Sequence, residues 1–376
     1  MMDWTDRHCR YFHRLFAPHA LLYTEMVVSA AIVRGNAARL LAHHAAEHPV
    51  ALQLGGCDPV ELAQAARIGE AAGYAEINLN VGCPSDRVQS GAFGACLMRT
   101  PSLVAECVAR MCDAVRVPVT VKCRIGVDER DDYEFFSQFA AAVAAAGAAA
   151  LIVHARIAIL GGLGRPRLAG SGAGAPPAEA PPADAPRLVR PGAEAPPADA
   201  PRLTRPGAEA PSADGPRLTR PGLTPKENRE IPPLKYHYVH QLKRERPDLP
   251  VVINGGFVDP LAVCAQLDAG LDGVMLGRAA YHRPALLAEL ERAVFDTAWC
   301  APRPAEIIDR MIAYAEIEAA RGVRLHSIAR HMHGLMAGRE GARAWRRFLS
   351  EVAARPDARP ETLLSALPIL KQDLAA

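Results

Sequence analysis

Short apolar runs recur along the chain at 19–24, 49–54, 75–80, 117–123, 149–154, 249–254 and 272–277. Most are separated by amphipathic stretches of helical length, such as 58–72, 101–115 and 132–146. Buried runs of this length alternating with helical patterns predict βαβ units and a parallel sheet. Pro59 and Pro101 stand where a first helical turn accepts a residue without an N–H. The longest apolar stretch, the fifteen residues 139–153, is mostly alanine. It is too short to span a bilayer and predicts a helix running into a buried strand.

Polar residues close these runs in series. Gln53 ends one and Asn80 the next, with Cys83 three residues on; Lys122 and His154 end two more. Asn254-Gly255-Gly256 and Gly277-Arg278 follow the last two. Chemistry at successive C-terminal strand ends is the arrangement of a (β/α)8 barrel, which is the fold class expected here. Seven runs are found where a barrel has eight. The missing strand is expected ahead of Met1, as a misplaced start codon would produce, and an open barrel of seven strands would expose two edges.

Residues 178–222 repeat with a period of fifteen: AEAPPADAPRLVRPG, AEAPPADAPRLTRPG, AEAPSADGPRLTRPG. The segment 164–223 holds 14 of the 32 prolines, so stacked copies would bury almost nothing, and a disordered insert is expected. With it set aside, GGL runs directly into TPKENREIPPL. Long surface insertions add little closure entropy, so the remainder is expected to fold without it.

Composition narrows the class. The net charge is +2, which by itself marks no nucleic-acid binder. Nine cysteines without a C-x-x-C pair argue against a zinc ribbon, an iron–sulfur cluster or a secreted disulfide framework. The N-terminus, MMDWTDRHCR, is charged from residue 3 and has no apolar signal core. A soluble, cytoplasmic protein without metal or membrane contact, acting as a monomer, is expected.

INGG and MLGR, at consecutive strand ends, are where this fold commonly holds a phosphate, with glycines admitting backbone N–H groups and Arg278 adding charge. A short helix after Gly277 would point its N-terminus at the same anion. Lys122 would lie in the barrel mouth, where it could form a Schiff base or stabilise the anionic edge of a reduced flavin. Gln53 suits a hydrogen bond to a flavin ring edge, and His154 could reach its phosphate or ribityl chain. Cys83, between Gly82 and Pro84, could be a core thiol, a metal ligand or a group that does chemistry.

The chain resembles the tRNA-dihydrouridine synthases, flavin enzymes with a barrel and a C-terminal helical domain. The resemblance is carried by MMDWTDRHCRYFHRL, LQLGG, EINLNVGCPSDRVQSGAFGACLM, VKCRIG, VHAR, GLTPKENREIPPL, INGG, MLGRAAY and RHMHGLMAGREGARAWRRFLSE. PKENREIPPL and the helical tail look most like the bacterial branch that modifies D-loop positions 20 and 20a. The resemblance implies a flavin barrel over 1–299, interrupted at 164–223, and a helical tRNA-binding domain over 303–376. It implies reduction of the C5–C6 double bond of a tRNA uridine, with FMN as cofactor and NADPH as reductant. Hydride would reach C6 and Cys83 would protonate C5. An ordinary thiol, with a pKa of about 8.5, is mostly protonated at pH 7 and suits that task. The FMN residues implied are Gln53, Lys122, His154, Asn254, Gly255, Gly256, Gly277 and Arg278, with Met1 and Met2 at the first-strand turn.

One departure follows His154, where the family's HARKAWLKGL is here HARIAILGGL, which implies weaker or displaced RNA contact at that loop. From Arg321 to Arg347 there are seven arginines and one acid, Glu340, with Trp345 among them, which predicts RNA contact. Asn80, Lys226, Arg229 and Arg330 are the candidate tRNA contacts. Two rival readings stand beside this one: a free-pyrimidine FMN oxidoreductase of the dihydroorotate or dihydropyrimidine dehydrogenase kind, and an RNA-binding remnant without flavin.

Overall fold

A computed structural model describes residues 1–85, 93–160 and 222–371. Seven strands form one sheet: β1 (Leu22–Val28), β2 (Val50–Gly55), β3 (Glu76–Val81), β4 (Val119–Arg124), β5 (Ala150–His154), β6 (Val251–Asn254) and β7 (Gly273–Met275). All six pairings are parallel, and the order across the sheet is β1 to β7 without reversal. A doubly wound sheet reverses its order at a switch point. Sequential order is that of a barrel wall, and β1 and β7 are its two ends.

The helices form where the pattern places them, because local chemistry starts and stops them. In Pro59–Ala71, Pro59 opens the first turn and the Asp58 carboxylate accepts from the N–H groups of Val60 and Glu61. Asp132 caps Tyr133–Ala145 through Phe135 N–H, and that helix leads into β5 as the alanine-rich run predicts. One strand face is apolar throughout: Leu52, Leu54, Ile77, Leu79, Val121 and Val153 are fully buried beneath helix residues such as Leu62, Val104, Met111, Phe136 and Phe139. Burying each such side chain contributes about 1.5–3 kcal/mol relative to exposure.

The first strand differs from expectation. It begins at Leu22 rather than near residue 19, because Leu22 N–H is the first to reach β2, on Pro49 O, while His19 turns away to pair with Glu291. It runs on to Val28 past a register shift between Tyr23 and Met26. Such a bulge accommodates an extra residue and tolerates the polar Glu25 within an apolar run.

The C-terminal region is helical, with Pro304–Ala319, Leu325–Ala329, Ala342–Glu351 and Leu367–Lys371. It has its own core around Met311, Tyr314, Ile328, Trp345, Phe348 and Leu363. Phe12 and Phe16, from the first helix and the turn after it, and Leu287 join that core. No helix among the described residues is long and apolar enough to cross a membrane. The expected insert lies outside the described residues, apart from Gly222 and Leu223.

Candidate active site

The inner face of the strands is polar, and strand register brings its residues together. Gln53 lies beside Asn78, Asn80 beside Lys122, Arg124 beside His154, and His154 beside Asn254. In a strand, residues two apart share a face. Glu76, Asn78 and Asn80 therefore face inward with Thr120, Lys122 and Arg124.

Cys83 sits on the loop after β3, half-buried, with its backbone held on both sides. Its N–H donates to Asn80 Oδ1 at 3.0 Å, as does that of Gly82, and its carbonyl accepts from Ala95 N–H at 2.9 Å. The thiol donates toward Ser85 Oγ at 3.7 Å. Residues 86–92 of the same motif lie outside the described residues. Cys96 donates its thiol to Phe93 O at 3.1 Å, and burial raises its pKa. Cys107 and Cys112 lie on the helix Pro101–Ala114, as their spacing predicts. Among the described residues, no group of three or more histidine, cysteine or acidic side chains is arranged to hold a metal ion.

Asn80 is a buried residue, and its amide is fully engaged. Besides the two turn N–H groups, its Nδ2 donates to Gln53 Oε1 at 2.8 Å. Gln53 Nε2 donates to Asn78 Oδ1 at 2.9 Å, and Asn78 Nδ2 to Thr120 Oγ1 at 2.8 Å. The Thr120 hydroxyl and Tyr23 OH both donate to Glu76 Oε1, at 2.5 and 2.7 Å. A continuous chain of hydrogen bonds thus links the Cys83 turn to a carboxylate at the start of β3.

Lys122 donates to the neutral amide of Asn254 at 3.2 Å, and Asn254 Nδ2 donates to Met275 O at 2.7 Å, which fixes the direction of that amide. Burial, with the neighbouring Arg124 charge, lowers Lys122 to about 8. Arg124 is 2% exposed and binds three carbonyls: Gly82 O at 3.0 Å, and Ile157 O and Asn228 O at 2.9 Å each. Burial and the charges of Arg229 and Arg156 bring it down to about 10. His154 is half-buried, and desolvation together with the charges of Arg124, Lys122, Arg156 and Arg229 holds it well below its usual pKa, so it is neutral at pH 7. The mouth of the sheet is therefore rich in cations that bind neutral amides and carbonyls, a surrounding suited to an anionic ligand.

The two glycines after β6 are required by geometry. Gly255 and Gly256 have φ of 120° and 82°. A Cβ on Gly255 would stand 2.8 Å from Leu234 Cδ2 and 2.9 Å from His154 Cδ2. Gly277 caps the short helix Arg278–His282, and a Cβ there would meet Met1 Sδ at 3.4 Å, so the chain start packs against the strand-seven loop. Met2 is exposed.

The candidate RNA residues divide. Lys226 and Arg229 are exposed on the segment that follows the insert, and Arg278 beside them pairs with Glu230 at 2.9 Å. Arg330 instead pairs with Asp6 at 2.7 Å. Trp345 is not on the surface with the arginines: it is fully buried, and its indole N–H donates to Met332 O at 2.8 Å. Arg343, Arg346 and Arg347 occupy the exposed face of the same helix. Asn78, Thr120, Glu76 and Arg124 also belong to the inward face of the strands and stand before or beyond the residues that close the apolar runs. Their signal was available, since polar residues recur at every second position in 76–80 and 120–124.

The sequence matches the family model of dihydrouridine synthase over residues 1–167 and 216–371. The tRNA-dihydrouridine(20/20a) synthase of Xanthomonas axonopodis pv. citri (strain 306) is 47% identical over 368 residues, covering 98% of this chain and 91% of that protein. Those of Vibrio cholerae and Escherichia coli (strain K12) are each 44% identical, covering 98% of this chain and 94% and 90% of their own lengths.

Proposed function

The chain belongs to the dihydrouridine synthase family, and from that premise we propose that it reduces the C5–C6 double bond of a tRNA uridine to 5,6-dihydrouridine. Positions 20 and 20a of the D-loop are the sites, as the names of its relatives indicate for those proteins. FMN is the cofactor and NADPH the reductant. The observation that carries this reading is the Cys83 turn, pinned at both its N–H and its carbonyl beside an inward cluster of Gln53, Asn80, Lys122 and Asn254.

The residues present fit a flavin. Lys122 is a half-buried cation bonded to a neutral amide, so an anionic ring edge would supply the charge that its surroundings lack. Gly255 and Gly256, at positive φ and without side chains, would let a phosphate approach the backbone closely, with Gly277 and Arg278 at the start of the adjoining short helix. Gln53 would meet the ring edge, neutral His154 the ribityl or phosphate oxygens, and the backbone at Met1 and Met2 would also contact the flavin. When bound, the reduced cofactor supplies the hydride that adds at C6 of uracil. Cys83 holds a proton at Sγ and gives it to C5, completing the addition of two hydrogens across the double bond.

A uridine inside folded tRNA must leave its stack to enter this mouth, at a cost of a few kcal/mol. Lys226 and Arg229 are assigned to the RNA, with the helical region 303–376 as its cradle and 1–299 as the flavin barrel; Asn80 and Arg330 would reach it only by exchanging the partners they hold within the fold. The flank between β1 and β7 is where an eighth strand would stand in a closed barrel. The protein works as a cytoplasmic monomer, and the insert is dispensable from 164 to 221, whereas Leu223 is held by Ile159 and Asn228.

The test is complementation of a strain lacking this activity, with dihydrouridine at positions 20 and 20a measured by mass spectrometry of its tRNA. Wild type restores the modification and Cys83→Ala does not. Wild-type protein that restores none would overturn the reading, and restoration by Cys83→Ala would remove the thiol from the reaction.

A further inference from the structure

We infer that Asn78 and Thr120, with Glu76 beneath them, are positioning residues that orient the amides of Gln53 and Asn80 and thereby hold the Cys83 turn. None of the three touches the turn itself. Their role follows from the direction of each bond in the chain. A carboxylate only accepts, so the single proton of Thr120 goes to Glu76 Oε1. Thr120 Oγ1 must then accept from Asn78, which turns Asn78 Oδ1 toward Gln53. Gln53 presents Nε2 to Asn78 and is left with Oε1 for Asn80. Asn80 Nδ2 faces Gln53, and its Oδ1 faces the N–H groups of Gly82 and Cys83. An amide flipped anywhere along this path sets donor against donor or acceptor against acceptor. At the upper end the conflict would fall on the Cys83 turn.

The chain lies where such a conflict is costly. Asn78 is fully buried and Thr120 is 2% exposed, so water cannot repair a broken link. Tyr23 also donates to Glu76, but its bond can be lost without altering the direction of any other.

Part of this rests on the proposed reaction, namely that the turn carries the proton donor; the hydrogen-bond logic does not. The test therefore reads the turn directly, by hydrogen–deuterium exchange of the Gly82 and Cys83 amides in the full-length protein, with dihydrouridine formation measured beside it. Thr120→Val leaves Asn78 Nδ2 without an acceptor, and loss of one buried link should speed exchange at the turn about tenfold. Thr120→Ser keeps the hydroxyl and should match wild type, as should Tyr23→Phe.

The direction of the chain is tested by moving the charge. Asn78→Asp leaves two carboxylates competing for the one Thr120 proton, so the turn should loosen at pH 8 and tighten again at low pH, where a protonated carboxyl donates as the amide does. Adding Glu76→Gln gives Thr120 a donor below and an acceptor above. The Gln53 and Asn80 amides keep their orientation, and the double variant should return to wild-type exchange at pH 8. Exchange unchanged in Thr120→Val, or a double variant no tighter than Asn78→Asp, would overturn the inference. Wild-type protein that forms no dihydrouridine would overturn the assigned reaction while leaving the exchange comparison to decide this one.

Discussion

Asp6 and Arg330 stand 324 residues apart in the chain and meet in an ion pair of 2.7 Å. The same carboxylate oxygen accepts from His331 Nε2 at 3.0 Å, while the other caps the N–H groups of His8 and Cys9. One side chain thus starts the first helix and fastens it to the helical region. Burial pushes the Asp6 carboxyl up, but the hydrogen bond and charge of His331 outweigh it and hold the group well below the usual carboxylate range. A depressed folded-state value means that the stabilisation is present above about pH 4 and is lost as the pH falls below it. Asp6→Ala should cost about 1–3 kcal/mol at pH 7, through loss of partners for buried groups. It should also flatten the acid limb of the stability curve. Arg330→Ala should lower stability as well; a variant that weakens tRNA binding at unchanged stability would free Arg330 from this tie.

Gly256→Ala probes the glycine cradle. The backbone there has φ of 82°, and a Cβ would lie 2.9 Å from both Leu234 Cδ1 and Tyr236 Oη. Left-handed strain on a non-glycine residue is about 1–2 kcal/mol, so a modest fall in melting temperature is expected. The larger effect should be on FMN affinity, about tenfold weaker, because the loop must shift the backbone of the proposed phosphate site. Fluorescence titration of FMN measures it. An unchanged dissociation constant would remove this loop from the phosphate site.

The sheet was legible because its strands are buried on one face by apolar residues at every second position, and because Asp58, Asp132, Pro59 and Pro101 mark helix starts in local chemistry. Cys83, Lys122 and His154 were legible as polar groups at strand ends. Asn78, Thr120 and Glu76, which extend the chain below Gln53 and Asn80, were harder to see, since they lie inside runs that read as apolar and the links of the chain join three strands. Trp345 was misjudged through its neighbours in sequence. Its partners are Phe348 and Leu349, three and four residues on, and that spacing puts it on the inner face of the helix while Arg343, Arg346 and Arg347 turn outward. The Asp6–Arg330 tie has no local signal, because it depends on how the first helix meets the last third of the chain.

Lys122 gives a pH signature. Its ordinary value is 10.5, and burial together with Arg124 brings it to about 8 in the folded protein. Between those values the unfolded chain holds the proton and the folded protein does not, so the cost of the buried charge is full below pH 8 and is relieved as the pH rises toward 10.5. Binding of an anionic ligand runs the other way, because it needs the charged amine. Affinity for reduced FMN, titrated anaerobically, should be flat up to neutral pH and fall above pH 8 by up to about tenfold per unit. Lys122→Met should bind more weakly and lose the dependence. A wild-type affinity that stays constant to pH 10 would separate this lysine from the anion.

Asn228 joins the chain on either side of the insert. Fully buried, it accepts from Ile159 N–H at 2.7 Å and donates to Ile159 O at 3.0 Å and Leu223 O at 2.7 Å, while Leu223 N–H donates to Ile159 O at 3.1 Å. Arg124 adds a bond to Asn228 O, so this clamp lies directly against the Cys83 loop. Because Ile159 and Leu223 already touch, removing 164–221 leaves a loop short enough to close without moving either. Closure entropy grows by about 0.6 kcal/mol per doubling of loop length, so the shortened protein should be as stable as the full chain or up to about 2 kcal/mol more so. Its dihydrouridine formation should stay within about threefold of wild type, less than the tenfold that a 1.4 kcal/mol change in barrier would produce. Asn228→Ala should do the opposite, lowering both stability and turnover by unfastening the clamp under Arg124. A shortened protein that folds but leaves tRNA unmodified would show that the repeats take part in binding the substrate.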